Sequence, residues 1–189
     1  MFNSVIKPAL FLFTVTVIIA VLLGFMYYIT EEPIYAQLER ELFLAKQILL
    51  PAAAAFEVID YTQSKASSVT TVEKGFDASG NKVGYVVTVT PKGYAGEILA
   101  MIGFDVAISI TSYSILNLNE TPGLGDIAAK PDFINRFAGK SSFPIKIVKI
   151  PTANKTDVQA ITGATVTSRA IVQGINDAAE IVISIEGEK

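Results

Sequence analysis

Residues 161–185, ITGATVTSRAIVQGINDAAEIVISI, place a turn of small residues directly before a long helical pattern. From Thr167 to Ile185 apolar side chains recur at intervals of three and four residues, which makes one face of a helix apolar. That face comprises Ala170, Ile171, Gly174, Ile175, Ala178, Val182 and Ile185. We therefore predict a closing helix over residues 167–185 that packs against the core of a domain.

The small residues before this helix are suited to holding an anion. Gly163 permits close backbone approach or a positive φ, and the amides and dipole at a helix N-terminus favour negative charge. The hydroxyls that can donate to a phosphate, or be esterified by it, belong to Thr162, Thr165, Thr167 and Ser168. Taken alone, the pattern is explained more simply by a tight turn with Thr167 or Ser168 as the helix N-cap.

The middle of the chain has the alternation that is typical of β-strands. Apolar side chains alternate over residues 83–89 and 104–110, and DASGN at 77–81 supplies a turn before the first run. We predict two half-buried antiparallel strands joined through PKGYAG, with further strands at 113–118 and 144–150. Residues 52–75 are ambiguous, and a short strand or an irregular connection is expected there. Strands and helices that mix without regular βαβ order indicate an α+β fold.

The N-terminal region predicts one transmembrane helix. Residues 9–29 contain no charged side chain, and as a helix they would span roughly 31 Å, the thickness of a hydrocarbon core. A cleaved signal peptide is the alternative, but its apolar stretch would be shorter and would end in a small-residue cleavage site. Lys7 precedes the span and Glu31 and Glu32 follow it, which favours a cytoplasmic N-terminus and a C-terminal domain outside.

Beyond the span, residues 35–50 form an amphipathic helical pattern that Pro51 ends. Together these features predict a transmembrane anchor over residues 1–30, an amphipathic connecting helix over 31–50 and a single domain over 51–189. Contact with membrane lipid is implied for the anchor.

Two absent residue types exclude several functions. The chain has no Cys and no His, which excludes iron–sulfur clusters, c-type haem, disulfides, hydrolytic triads and typical zinc or haem sites. The chain carries a net charge of −3, and because Lys7 is the only charge before residue 31, the remainder carries −4. Nucleic acid is therefore not an expected partner. Redox chemistry in this chain would need a bound organic cofactor.

Two further glycine-rich segments are candidates for contact with a flat ligand. NETPGLGD at 119–126 has Pro122 and Gly123 at the positions of a type II turn, and Gly125 allows close backbone approach. GYAGEI at 93–98 offers Tyr94 as a ring contact. Each segment is also explained as an ordinary connection between secondary-structure elements.

In combination, these segments resemble the FMN-binding domain shared by the G subunit of Rnf electron-transport complexes and the C subunit of the sodium-pumping NADH:quinone reductase. The family's [S/T]GAT, ETPGLG and GYxG motifs stand at 162–165, 120–125 and 93–96, after one membrane helix, so the resemblance covers nearly the whole chain. It implies FMN joined to Thr165 by a phosphoester. The resemblance indicates a set of cofactor-binding residues, to which the nearby hydroxyl of Thr167 is added. They are Tyr94, Glu120, Thr121, Pro122, Gly123, Leu124, Gly125, Thr162, Gly163, Ala164, Thr165 and Thr167.

The resemblance also implies a function and a location. The chain would be an electron-carrying subunit of an ion-translocating ferredoxin:NAD oxidoreductase, an Rnf complex, with no catalytic residue of its own. It would cross the cell (inner) membrane once, with its domain on the periplasmic or extracellular side. Its partners would be the other Rnf subunits and, during maturation, a flavin transferase.

Other readings remain open at this point. The C subunit of the sodium-translocating NADH:quinone reductase is one, and a non-redox membrane-tethered assembly module is another. Two positions depart from the family's pattern. Gln159 stands where many relatives have an acidic residue, and Leu118 stands where relatives often have His, so no proton-linked role is carried over to that position.

Overall fold

The computed structural model describes residues 2–61, 68–150 and 152–187; the side chains of 2–5, 31–36 and 38 lie outside the description. The helices are α1 (Phe2–Leu49), α2 (Pro131–Ile134) and α3 (Thr165–Gly187), with a 3₁₀ helix at Gly125–Ala129. The strands are β1 (Ala55–Val58), β2 (Val69–Phe76), β3 (Lys82–Val89), β4 (Leu99–Asp105), β5 (Ile110–Asn117), β6 (Lys146–Val148) and β7 (Asp157–Gln159). Residues 62–67, part of the ambiguous stretch, lie outside the described residues.

The chain divides into two units, Met1–Phe43 and Leu44–Lys189. In the first unit, Ile6–Thr30 is a helical stretch of 25 residues with a mean hydropathy of 2.7, and it contains the span predicted over 9–29. Its threonines do not leave their hydroxyls unpaired. Thr14 Oγ1 donates to the Leu10 carbonyl and Thr16 Oγ1 to the Leu12 carbonyl, each at 2.7 Å. A hydroxyl bonded back to its own helix is compatible with an apolar surface.

The second unit is built on a five-stranded antiparallel sheet in the order β1-β2-β3-β4-β5, in which each strand pairs with the next. Strand β3 coincides with the strand predicted over 83–89, and β5 and β6 overlap those predicted over 113–118 and 144–150. A short parallel pair, β6 with β7, stands apart from the main sheet. The expected α+β fold with a mainly antiparallel sheet is confirmed.

The strand predicted over 104–110 is wrong, because a hairpin turn interrupts it. Strand β4 ends at Asp105, whose Oδ1 accepts the backbone N–H groups of Ala107 at 2.9 Å and Ser109 at 2.8 Å. Ile108 has a φ of 59°, and β5 begins at Ile110. An aspartate that bonds to the backbone two residues ahead favours a turn over a continuing strand.

Helix α3 supplies much of the core of the domain and begins at Thr165, two residues before the predicted start. Its largest buried side chains include Ile175 and Ile181, and they share one apolar core with Tyr85 and Phe104 of the sheet. The suggested N-caps are also wrong, since Thr167 and Ser168 lie inside the first turn. Ser168 Oγ donates to the Ala164 carbonyl and accepts the Ile161 N–H, both at 2.9 Å.

Three glycines on neighbouring strands, Gly75, Gly84 and Gly103, receive the last turn of α1; we call them the glycine notch. A Cβ at Gly103 would lie 2.9 Å from Leu49 Cβ, and one at Gly75 would lie 3.0 Å from Leu50 Cδ1. Both leucines are buried, and Thr111 Oγ1 donates to the Leu49 carbonyl at 2.6 Å. The end of α1 is thus an integral part of the domain.

We expect Gly103→Ala to lower the free energy of unfolding by about 1–3 kcal/mol, the usual cost of overpacking a close contact. The new methyl would lie 2.4 Å from Thr111 Oγ1 and 3.0 Å from the Leu49 carbonyl oxygen. It would therefore break the hydrogen bond that Thr111 Oγ1 donates to this carbonyl. Denaturant unfolding in detergent measures the loss. Gly96→Ala is the control, because its methyl would meet no atom within 4 Å. Equal losses in both variants would contradict the tight fit at the notch.

Candidate functional site

The three glycine-rich segments, distant in sequence, line one cleft of about 420 Å³. That volume lies within the roughly 300–1,000 Å³ of small-molecule sites. The lining residues are Tyr94, Glu120, Thr121, Leu124, Gly125, Gly163, Ala164, Thr165, Val166 and Thr167. Of the residues that the sequence indicated, Thr162, Pro122 and Gly123 do not line the cleft. Val166 lines it without having been indicated.

The segment before α3 forms a tight turn that directs the helix N-terminus at the cleft. The Ala164 N–H donates to the Ile161 carbonyl at 3.0 Å, and Gly163 between them has a φ of 79°. A Cβ on Gly163 would also come within 2.9 Å of Leu124 Cδ2. The first amides of a helix have no acceptor inside it, so this end of α3 offers donors and positive potential to an anion.

The opposite wall is the turn predicted at Pro122-Gly123. Its closing hydrogen bond runs from the Leu124 N–H to the Thr121 carbonyl at 3.1 Å, and Gly123 has the φ of 79° that a type II turn requires. The following 3₁₀ helix is held from the sheet, because the Tyr113 hydroxyl donates to the Ala128 carbonyl at 2.5 Å. Burial raises the pKa of Tyr113 far above its usual range, so the hydroxyl remains a donor.

Glu120 connects all three segments. Its Oε1 accepts the backbone N–H groups of Tyr94 at 2.7 Å and Ala95 at 3.3 Å, and its Oε2 accepts the Thr167 hydroxyl at 3.1 Å. Hydrogen bonds to a charged acceptor are worth about 1.5–3 kcal/mol, more than those between neutral groups. The carboxylate therefore fixes the tyrosine loop and the first turn of α3 against each other.

Two glycines make room for this carboxylate. A Cβ at Gly93 would lie 2.3 Å from Glu120 Oε1, and a Cβ at Gly125 would lie 2.6 Å from Oε2 and 2.5 Å from Glu120 Cβ. No side chain can be accommodated at such separations. The glycines of the two motifs are thus needed for the glutamate between them as well as for approach by a ligand.

The threonine hydroxyls near the start of α3 differ in their exposure and in their hydrogen bonds. Thr167 is 1% exposed and its hydroxyl is bonded to Glu120. Thr162 is exposed but lies outside the cleft lining. Thr165 is half-buried, lines the cleft, and makes no side-chain hydrogen bond to the part of the chain that is described. Of these three side chains, Thr165 alone combines access to the cleft with a free hydroxyl among the described residues.

Apolar side chains form the mouth of the cleft. Tyr94 is 73% exposed, Val166 47% and Leu124 42%. Large apolar groups at such exposure beside a polar cleft are typical of a ligand or partner surface. An anionic group at the helix end and a flat apolar group at the mouth would both find complementary surroundings.

The two positions that depart from the family pattern have structural contacts. The side-chain amide of Gln159 donates to the Lys149 backbone carbonyl at 3.4 Å, and the backbone carbonyl of Gln159 accepts Arg136 Nη1 at 2.8 Å. Leu118 is half-buried and packs against the core. Neither side chain lines the cleft.

Comparison with known proteins assigns the α+β domain that holds this cleft to the FMN-binding domains. Residues 93–180 match the family described as FMN-binding domain, and this range contains all three glycine-rich segments. The C subunit of the Na⁺-translocating NADH-quinone reductase from Parabacteroides distasonis has a similar structure, with a TM-score of 0.54 and 22% identity over 69% of this chain and 76% of that one. This likeness concerns the fold alone.

Sequence comparison identifies the family within that class. The chain is 34% identical over 184 residues to the G subunit of the Na⁺-translocating ferredoxin:NAD⁺ oxidoreductase complex of Acetobacterium woodii, covering 91% of this chain and 88% of that protein. It is 32% identical over 189 residues to the G subunit of the ion-translocating oxidoreductase complex of Methanosarcina acetivorans, covering 98% of each. The chain belongs to the family of G subunits of ion-translocating oxidoreductase complexes.

Proposed function

We propose that this chain relays electrons within a membrane-bound, ion-translocating ferredoxin:NAD oxidoreductase through FMN joined to Thr165 by a phosphoester. The observation that carries the proposal is the Thr165 hydroxyl. Thr165 lines the cleft at the start of α3, and its hydroxyl makes no side-chain hydrogen bond to the described residues, while the Thr167 hydroxyl is bonded to Glu120. Family membership supports the same function.

The residues of the cleft fit FMN. The free amides at the start of α3 suit a phosphate, and Gly163 lacks the Cβ that would meet Leu124. The apolar side chains at the mouth, Tyr94 and Leu124 among them, suit a flat ring system. FMN supplies one- and two-electron transfer when bound, and the protein supplies position and electrostatics. This division suits a chain without Cys or His.

We further propose that the chain acts as three parts: an anchor over residues 1–30, a connecting helix over 31–50 whose last turn packs into the domain, and a flavin domain over 51–189. Lys7, in the first turn of the apolar stretch Ile6–Thr30, and Glu31 and Glu32, just after it, favour a cytoplasmic N-terminus and a domain on the periplasmic or extracellular side. Its partners are the other members of the complex, a flavin transferase that installs FMN, and membrane lipid. A covalent bond retains the cofactor on a side of the membrane where a lost flavin is not replaced from the cytoplasm.

Mass spectrometry of native protein tests the proposal. We expect the intact mass to exceed the polypeptide mass by one FMN less one water, and peptide mapping to locate the addition at Thr165. Native protein with no addition, made alongside a competent flavin transferase, would overturn the flavin relay and favour a non-redox, membrane-tethered assembly module. The C subunit of a quinone reductase is disfavoured as the alternative, because the G-subunit relatives align over nearly their full length at 32–34% identity.

A further inference from the structure

Arg169 is an exposed cation near the positive end of α3 without a compensating anion. The helix begins at Thr165, and its first turn contains no acidic residue. Arg169 is the fifth residue of α3, and a cation close to this end gains no stabilisation from the helix dipole, which places positive potential at the N-terminus. Within the described part of the chain, the Arg169 side chain makes no hydrogen bond or ion pair, although it is exposed and long enough to reach its neighbours.

Arg169 lies four residues after Thr165 on α3, and it lines a groove other than the cleft that Thr165 lines. The two residues are four apart, so their side chains lie on the same face, and long helical side chains lean toward the N-terminus. The order of charges also matters: an anion four residues before a cation is the favourable arrangement on a helix. A negative group on Thr165 would therefore meet both the free amides of α3 and the guanidinium.

The groove along this face of α3 holds one carboxylate, on Asp177, about two helical turns beyond Arg169. Lys146, Arg169, Gln173, Asn176 and Asp177 line it. The Asp177 carboxylate accepts the Ser68 hydroxyl, and the Asn176 amide is bonded to the Ile145 backbone in both directions. The groove thus presents two cations and one carboxylate, and among the described residues that carboxylate makes no ion pair with Arg169.

We propose that Arg169 binds the phosphate of the flavin on Thr165. The inference rests on the proposed function, since the anion is the phosphodiester formed there. A phosphodiester keeps one ionised oxygen, and a guanidinium can donate two parallel N–H groups to a phosphate. Arg169 is then a positioning residue: it fixes the attached end of the flavin, so that the ring system is held at the mouth of the cleft.

The test compares labelled and unlabelled forms of the full-length chain in detergent. Flavin fluorescence follows the thermal unfolding of the labelled molecules only, so partial labelling does not confuse the result. We expect the rise in Tm that labelling produces to be smaller by about 2–4 °C in Arg169→Gln than in the natural sequence, and Arg169→Lys to recover part of it. The ³¹P resonance of the phosphodiester should move in Arg169→Gln.

Lys146→Gln is the matched control, because it removes the other cation of the groove but does not lie on the helix. It should leave both the Tm rise and the ³¹P resonance near their natural values. If Arg169→Gln takes no label, the Tm rise on labelling is measured for the natural sequence in 1 M salt instead. An ion pair with the phosphate requires this rise to be smaller in 1 M salt. The inference is overturned if labelled Arg169→Gln shows the same Tm rise and the same ³¹P resonance as the natural sequence. If Arg169→Gln takes no label, the inference is overturned when the Tm rise of the natural sequence does not change with salt. Absence of label from the natural chain is seen first by mass, and it refutes the proposed function instead.

Discussion

Thr165→Val is expected to remove the covalent flavin completely, so that the protein shows no yellow colour and no fluorescent band on a denaturing gel. Valine has the shape of threonine but no oxygen to form the ester, so the fold should survive while attachment fails. Thr165→Ser keeps the oxygen at the same place on the helix, and it should retain label. The measurement is in-gel fluorescence after expression with a flavin transferase, with intact mass as a check.

Thr167→Val and Thr162→Val are the matched controls for this prediction. Thr167→Val takes one donor from the Glu120 carboxylate, which keeps its two amide donors, so it should cost about 1.5 kcal/mol of stability, the lower end for a bond to a charged group, and leave most of the label. Thr162→Val alters an exposed side chain outside the cleft lining and should be labelled normally. Loss of label in Thr167→Val with retention in Thr165→Val would show that the flavin is on the other hydroxyl.

The elements that the sequence predicts well are those with one strong periodicity. The alternation over 83–89 lies in a strand with paired neighbours on both sides, and the apolar face of 167–185 is the buried face of α3. On α3, six of the seven residues of the predicted face are buried and Ile185 is half-buried; in β3, Tyr85, Val87 and Val89 are buried as the alternation predicts, but Val86 is buried as well, so this strand is covered on both faces. The period of the side chains then gives the element directly.

The errors arise where a local contact competes with the pattern. Residues 104–110 alternate as a strand does, yet Asp105 bonds to two backbone amides ahead of it and forms a turn. Strand β2 was not predicted as a strand, because Thr70, Thr71 and Lys74 obscure its alternation. Its place in the sheet is fixed by pairing with β1 and β3, which a local pattern does not contain.

The site was predictable as a set of segments but not as an arrangement. Composition and spacing indicated small residues at 161–168 and turn glycines at 119–126, and the resemblance combined them. That Glu120 receives two backbone amides and the Thr167 hydroxyl depends on how distant loops meet. The Val166 side chain has no polar atom, so its chemistry did not indicate a role in the site. Its position beside Thr165 on the first turn of α3 was the available signal.

Glu120→Ala is the second substitution with a large expected effect, because one side chain holds three segments of the cleft. Its removal leaves the Tyr94 and Ala95 amides without their acceptor and frees the Thr167 hydroxyl. We expect a loss of about 1.5–3 kcal/mol in the free energy of unfolding, as for hydrogen bonds to a charged group. Labelling should fall by about tenfold, since a change of about 1.4 kcal/mol in holding the cleft together already gives that factor.

Glu120→Gln separates the geometry of this side chain from its charge. The amide oxygen can still accept the Tyr94 and Ala95 N–H groups, and its NH₂ can donate to the Thr167 hydroxyl, which then acts as acceptor. This variant should therefore be labelled far better than Glu120→Ala. Glu97→Ala removes an exposed carboxylate close to the same loop in sequence and should match the natural chain. Labelling of Glu120→Ala at the natural rate would mean that the three segments hold the cleft without the carboxylate.

Because Gly93 and Gly125 lack the side chains that Glu120 excludes, Glu120→Ala also opens space beside both glycines. Peptide mapping of any residual label should then find part of it on Thr167, whose hydroxyl no longer has a partner.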